Sequence, residues 1–106
     1  MDATLSAVYF SENLGREEFV DQILEIFQPQ LGGVEKIFVK PNLVSYEPYP
    51  TTTHPLILNQ VLKRLARYEI LVGDAPAIDA GRSNKIIQKS PLRKICENHG
   101  IRLMNL

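Results

Sequence analysis

The chain is predicted to be a small α/β domain: a Rossmann-like three-layer sandwich with a mainly parallel four-stranded sheet, in the order β-α-β-α-β-α-β. Three observations carry that prediction. Short runs rich in β-branched and aromatic residues alternate with segments whose apolar positions recur every three or four residues. No tight hairpin dipeptide joins two of the short runs. With 106 residues, 44% of them hydrophobic and 23% charged, the chain has the size and composition of one globular domain, 1–106.

Residues 3 to 10, ATLSAVYF, favour β structure and partly alternate, with Leu5, Ala7 and Tyr9 against Thr4, Ser6 and Val8, which predicts a first strand. After SENLG the period changes. From Arg16, the residues Phe19, Val20, Ile23, Leu24 and Phe27 recur at helical spacing, and Glu17 and Glu18 occupy the first turn, where carboxylates suit the helix dipole. Pro29 and the pair Gly32-Gly33 end this helix. KIFVK, 36 to 40, is a second strand. Pro55 opens a second helix, since its missing N–H is not needed there, with Thr53 or His54 as N-cap. Leu56, Ile57, Leu58, Val61, Leu62 and Leu65 form its expected buried stripe, and Asn59, Gln60, Lys63, Arg64 and Arg67 its wet face. EILVGD, 69 to 74, is the third strand. The last helical segment, broken near Ser90-Pro91, buries Leu92, Ile95 and Cys96 and stops at His99-Gly100. IRLMNL, 101 to 106, is the fourth strand.

Such alternation implies parallel strands, in the order 2-1-3-4, with helices on both faces. Ligands of open α/β sheets bind beyond the carboxyl ends of the strands. Two irregular segments, 41 to 54 and 74 to 83, leave such ends and are expected on one rim. Lys40 closes its strand, and Pro41 behind it holds it extended. Its ammonium can pair with a carboxylate or phosphate, while Asn42 offers an amide donor and acceptor. The same two residues also fit a structural role, with the lysine stem lying over apolar surface and the asparagine closing a turn. Thr51, Thr52, Thr53 and His54 run into the helix start, where free N–H groups favour an anion, although capping accounts for one threonine without a ligand. Asp74 follows Gly73 at the end of the third strand, a place for a metal ligand, a base or an ion-pair partner of Lys40. Asp79 reads as surface turn chemistry, and SYEPYP, 45 to 50, as a lid stiffened by prolines.

Several classes are excluded. The single Cys96 rules out an internal disulfide framework and any four-cysteine zinc or iron–sulfur site within this chain, and its place on an apolar helix side makes it a core residue. Ser83, Ser90 and His99 lack the spacing of a nucleophile elbow or triad. No metal signature and no glycine-rich phosphate loop is present, so no metal site is assigned. Twelve basic and twelve acidic residues cancel, and the basic stretch Arg82, Lys85, Lys89, Arg93 and Lys94 carries no interleaved aromatics, so neither nucleic acid nor a membrane is an expected partner. The N-terminus lacks a basic leader, and no apolar run approaches the ~18 residues of a membrane span, so a cytoplasmic location is expected.

KIFVKPNLV, the threonines before a helix, EILVGDAPA and the closing GIRLMNL together resemble the N-terminal part of the uncharacterised family called domain of unknown function 362. The resemblance spans roughly residues 36 to 106, and Val39-Lys40-Pro41-Asn42-Leu43 is its most specific piece. It implies larger relatives in which more α/β structure follows, in some members with ferredoxin-type iron–sulfur motifs. The cluster cysteines are missing here, so no iron–sulfur cluster is expected in this chain; if later sequence completes the family's active surface, the chain carries half of it, as a fragment or as a subunit that meets a partner. Carried over residue by residue, the pattern points to Lys40, Asn42, the threonine group and Asp74.

The expected function is binding of a small anionic ligand, with or without a divalent metal, at the carboxyl rim. Lys40 would neutralise its charge, Asn42 with Thr52 or Thr53 would orient it, His54 would stand at the helix mouth, and Asp74 would act as base or metal ligand. The alternative is a non-catalytic subunit or structural fragment, a homo-oligomer or a partner's companion, joined through the open edge of the terminal strand. These residues name no reaction.

Overall fold

The computed structural model describes residues 6–43, 47–75 and 83–106. Its elements are α1 (Arg16–Phe27), β1 (Lys36–Val39), α2 (Pro55–Arg64), β2 (Glu69–Asp74), α3 (Ser83–Lys89), α4 (Pro91–Asn98) and β3 (Leu103–Asn105), with a 3-10 turn, Gln28–Leu31, closing α1. The sheet is parallel throughout. Lys36 to Val39 pair with Glu69 to Val72, and Val72, Gly73 and Asp74 pair with Leu103, Met104 and Asn105.

Two expectations about the sheet are corrected. The described residues form three strands, not four, in the order β1-β2-β3. The predicted first strand is absent where it is described: residues 6 to 10 have no regular structure, and Val8 is 86% exposed. No gap exists for it in the predicted order 2-1-3-4, because β1 and β2 bond directly to each other, and Glu69 N–H donates to the Glu35 carbonyl at the start of the same ladder. The alternation in ATLSAVYF supplied a strand-like pattern without a partner strand, and Tyr9 instead packs edge-on against Phe27 at the end of α1.

Among the described residues, no third layer covers β1 and β2. In parallel strands, residues in register share a face. Ile37, Val39, Ile70 and Val72 point to the side holding the core, where Val72 joins Leu43, Leu58, Leu62, Ile87, Leu92, Cys96 and Leu103. Phe38 and Leu71 point the other way and stay 47% and 43% exposed, so no helix covers that face of β1 and β2 among the described residues.

Local chemistry accounts for the helices. Pro55 and Pro91 each take the first helical position, and the side chains of His54 and Ser90 cap α2 and α4 by accepting from Leu56 N–H and Leu92 N–H. Helix α4 ends in a left-handed glycine, Gly100 at φ 70°, which lets Ile101 N–H reach the Cys96 carbonyl and Gly100 N–H the Glu97 carbonyl, both at 2.9 Å. Helix α1 has no fully buried residue; it lies on α2 and is tied there by polar bonds. Gln60 Nε2 and Arg64 Nε both donate to Asp21 Oδ1, at 2.6 and 2.7 Å, and these bonds hold the Asp21 carboxyl below its ordinary value. They also correct the expected stripe of α2: Gln60 is buried beneath α1, whereas Leu56, at the first turn, is exposed.

Candidate functional site

The carboxyl ends of β1 and β2 lie side by side, which places Lys40 and Asp74 together. Lys40 Nζ stands 2.5 Å from Asp74 Oδ1, while the other carboxylate oxygen accepts the Leu43 N–H at 2.7 Å. Asp74 is 5% exposed at its side chain and Lys40 60%. Oδ1 is enclosed and, among the described residues, receives no well-directed hydrogen bond, so its contact with the ammonium is ionic. Burial pushes the Asp74 carboxyl up; Lys40 and the N–H groups of Leu43 and Ala75 outweigh that push and hold it below its ordinary value of 3.8. A carboxylate held low is a weak base at neutral pH. Its physical role here is to anchor the ammonium, which keeps two of its three donor directions for solvent or a ligand.

Segment 41–54 folds back on itself. Asn42 N–H donates to Thr53 Oγ1 at 2.7 Å, Asn42 Nδ2 donates to the Thr51 carbonyl at 3.1 Å, and Thr53 N–H returns to the Asn42 carbonyl at 3.1 Å. Leu43 and Thr52 form an antiparallel bridge, with both residues buried, and Thr52 Oγ1 donates to the Glu47 carbonyl at 2.6 Å. Asp74 thus clamps the base of a braced loop on either side of Pro41-Asn42. His54 Nδ1 accepts from Leu56 N–H at 3.1 Å, and its ring stands edge-on to Tyr49 with centroids 4.8 Å apart.

The structure therefore brings together Lys40, Asn42, Thr53 and Asp74, with Thr52 and His54 on the returning leg. The amide of Asn42 and the hydroxyls of Thr52 and Thr53 all serve the loop's own bonds. Asp79, with most of segment 74 to 83, and Ser45 and Tyr46 of the expected lid, lie outside the described residues. Cys96 is fully buried, and burial pushes its thiol up to about 11, which removes it from nucleophilic chemistry. No group of three or more metal-binding side chains occurs among the described residues, and no helix among them is long and apolar enough to cross a membrane.

A protein-family comparison matches this architecture from β1 to β3: the model described as Domain of unknown function (DUF362) covers residues 37–106, well over half of the chain. The chain belongs to that family. The DUF362 match begins at Ile37 and so contains the whole Lys40–Asp74 arrangement, while α1 lies before it. No curated protein and no solved structure matches the chain.

Sequence reasoning missed two contributors. One is the Leu43 amide, which donates a hydrogen bond to Asp74; the signal was an apolar residue, fully buried in the structure, set in a polar loop. The other is Arg16, whose guanidinium lies over the Tyr49 ring, 5.4 Å from its centroid. Its signal was an arginine opening a helix, where a cation opposes the dipole.

Proposed function

We infer that this domain binds a small anionic ligand at the rim where Lys40 and Asn42 meet the Thr52, Thr53 and His54 turn, with Asp74 holding Lys40 in place. One observation carries the reading: an ammonium 60% exposed is anchored by a carboxylate 5% exposed at the adjoining carboxyl ends of two parallel strands. An exposed lysine tethered in this way has lost little hydration and keeps free donors, so an anion can join it without displacing Asp74. A divalent cation would have to take the enclosed Oδ1 from Lys40, which makes an anion the better fit.

The test is thermal unfolding with inorganic phosphate, citrate, nucleotides and magnesium. A ligand present at a hundred times its Kd stabilises by about 2.7 kcal/mol, a rise of roughly 10–20 °C for a domain of this size. Lys40→Met should cut that rise sharply. A Tm unmoved by every member of the series removes the support for ligand binding.

A second reading, a subunit completed by a partner chain, is favoured by the uncovered sheet face bearing Phe38 and Leu71. Sedimentation velocity separates the two: self-association lost on Phe38→Ser and Leu71→Ser supports the subunit, and a monomer at all concentrations counts against a homo-oligomer.

A further inference from the structure

We propose that Arg16, Tyr49 and His54 form a subsite for a phosphate group beside the Lys40–Asp74 pair. The proposal deepens the anion-binding reading and rests on it in taking the returning leg of segment 41–54 as ligand-facing. Arg16 is the first residue of α1 and His54 the N-cap of α2, so the two helices bring their amino ends to one tyrosine. The guanidinium sits over the Tyr49 ring and the imidazole stands edge-on to it.

Three features mark this trio as something other than packing. Tyr49 is 50% exposed and Arg16 is exposed, so their contact buries little and stabilises the fold little. A cation at the first position of a helix costs about 0.3–1 kcal/mol against the dipole, so helix stability does not explain Arg16. The donors are also unspent. His54 Nδ1 accepts from Leu56 N–H, which places the neutral ring's proton on Nε2, and among the described residues neither Nε2, the Arg16 guanidinium nor the Tyr49 hydroxyl has a hydrogen-bond partner. A guanidinium held over a ring face does not spend its forked N–H groups on that contact.

A guanidinium, an imidazole N–H and a phenol gathered at one ring suit an oxyanion with oxygens in several directions, which a phosphate has and a flat carboxylate lacks. Glu17 and Glu18 follow Arg16 in the chain but are turned about 100° and 200° around the helix from it. The phosphate can be free or carried on a small organic molecule, since the chemistry recognised is the same.

The experiment is a titration of the full chain with inorganic phosphate and, in parallel, glycerol phosphate, followed by the ring nitrogen resonances of His54 and by backbone amides. Phosphate should shift the His54 Nε2 signal. Arg16→Gln should weaken that response about tenfold or more, the loss of one charged hydrogen bond, with amide spectra confirming the fold. Arg16→Lys, which keeps charge but loses the fork, should recover only part of it, and Lys40→Met should leave the His54 response in place. Tighter binding of glycerol phosphate identifies a carried phosphate as the natural source, and tighter inorganic phosphate the free ion. Shifts confined to the amides of Lys40 and Leu43, or a His54 response equal in Arg16→Gln, overturn the subsite and leave the Lys40 rim standing. No shift at all with either probe overturns the subsite, while the rim is still judged by the carboxylates and nucleotides of the thermal series.

Discussion

Removing either partner of the Lys40–Asp74 pair should destabilise the protein, but unequally. In Lys40→Met, a carboxylate 5% exposed keeps its bond from Leu43 N–H and loses its cation. Stranding a buried charge costs about 3–5 kcal/mol when the pair is fully enclosed; because this lysine is largely exposed and already screened, the low end, about 3 kcal/mol, is expected. In Asp74→Asn the lysine simply hydrates, and the amide oxygen still accepts from Leu43. The loss is then one charge-assisted hydrogen bond weakened and one ionic contact removed, about 2 kcal/mol. At roughly 4–8 °C per kcal/mol the two variants should melt about 5 °C apart, Lys40→Met lower, by circular dichroism at neutral pH. Acid should narrow the difference. The wild-type Asp74 carboxyl lies below its ordinary value of 3.8, so the pair's contribution is complete above that value and is lost as pH falls through the lower folded one. In Lys40→Met the burial that pushes the carboxyl up goes unopposed by a cation, so protonation relieves the strandedness at a higher pH and the deficit against wild type shrinks as the carboxylate range is entered. If Asp74→Asn costs more than Lys40→Met, with no dependence on pH, Asp74 acts through loop packing and not as a charge held by Lys40.

Gly73→Ala should separate β3 from β2, because an added Cβ would stand 2.8 Å from the Met104 carbonyl oxygen; about 1–3 kcal/mol is expected in urea unfolding, with loss of amide protection at Leu103 to Asn105. His54→Ala removes the side-chain cap of α2 and should cost about 1 kcal/mol, whereas His54→Asn, another good cap, should restore most of it in the same assay. Cys96, buried with its thiol pushed up to about 11, should resist alkylation at pH 8 in the native protein and react fully in denaturant, as mass spectrometry would show.

Much of the fold could be read from local chemistry. Pro55 announced its helix start, Ser90-Pro91 the break between α3 and α4, Gly100 the end of α4, and the short apolar-rich runs KIFVK and EILVGD the strands β1 and β2. The error at residues 6–10 has a different origin. Alternation reports what a strand would look like but not whether a neighbour exists to pair with it, and β1 and β2 had already taken each other. The lack of a third layer over β1 and β2 among the described residues was equally invisible, since Phe38 and Leu71 look in sequence like any core strand positions. At the site, the strand ends put Lys40 and Asp74 on one rim, but the expected order 2-1-3-4 kept a strand between them, and it is the direct pairing of β1 with β2 that brings them into contact. The internal bonding of Asn42, Thr51 and Thr53 was not legible, because residues nine to eleven apart meet only once the loop closes. Nor was Arg16 over Tyr49, a contact between elements more than thirty positions apart that no periodicity encodes.

The most direct measurement is the backbone amide response of the intact chain to a small anion, taken alongside Lys40→Met. Saturable shifts centred on the amides of Asn42, Leu43, Thr53 and Ala75, abolished by Lys40→Met while the remaining spectrum holds, are the expected result. Shifts scattered over the surface lysines and arginines without saturation, or a response of those four amides that survives Lys40→Met unchanged, would contradict the rim at Lys40 and Asp74 as the binding site.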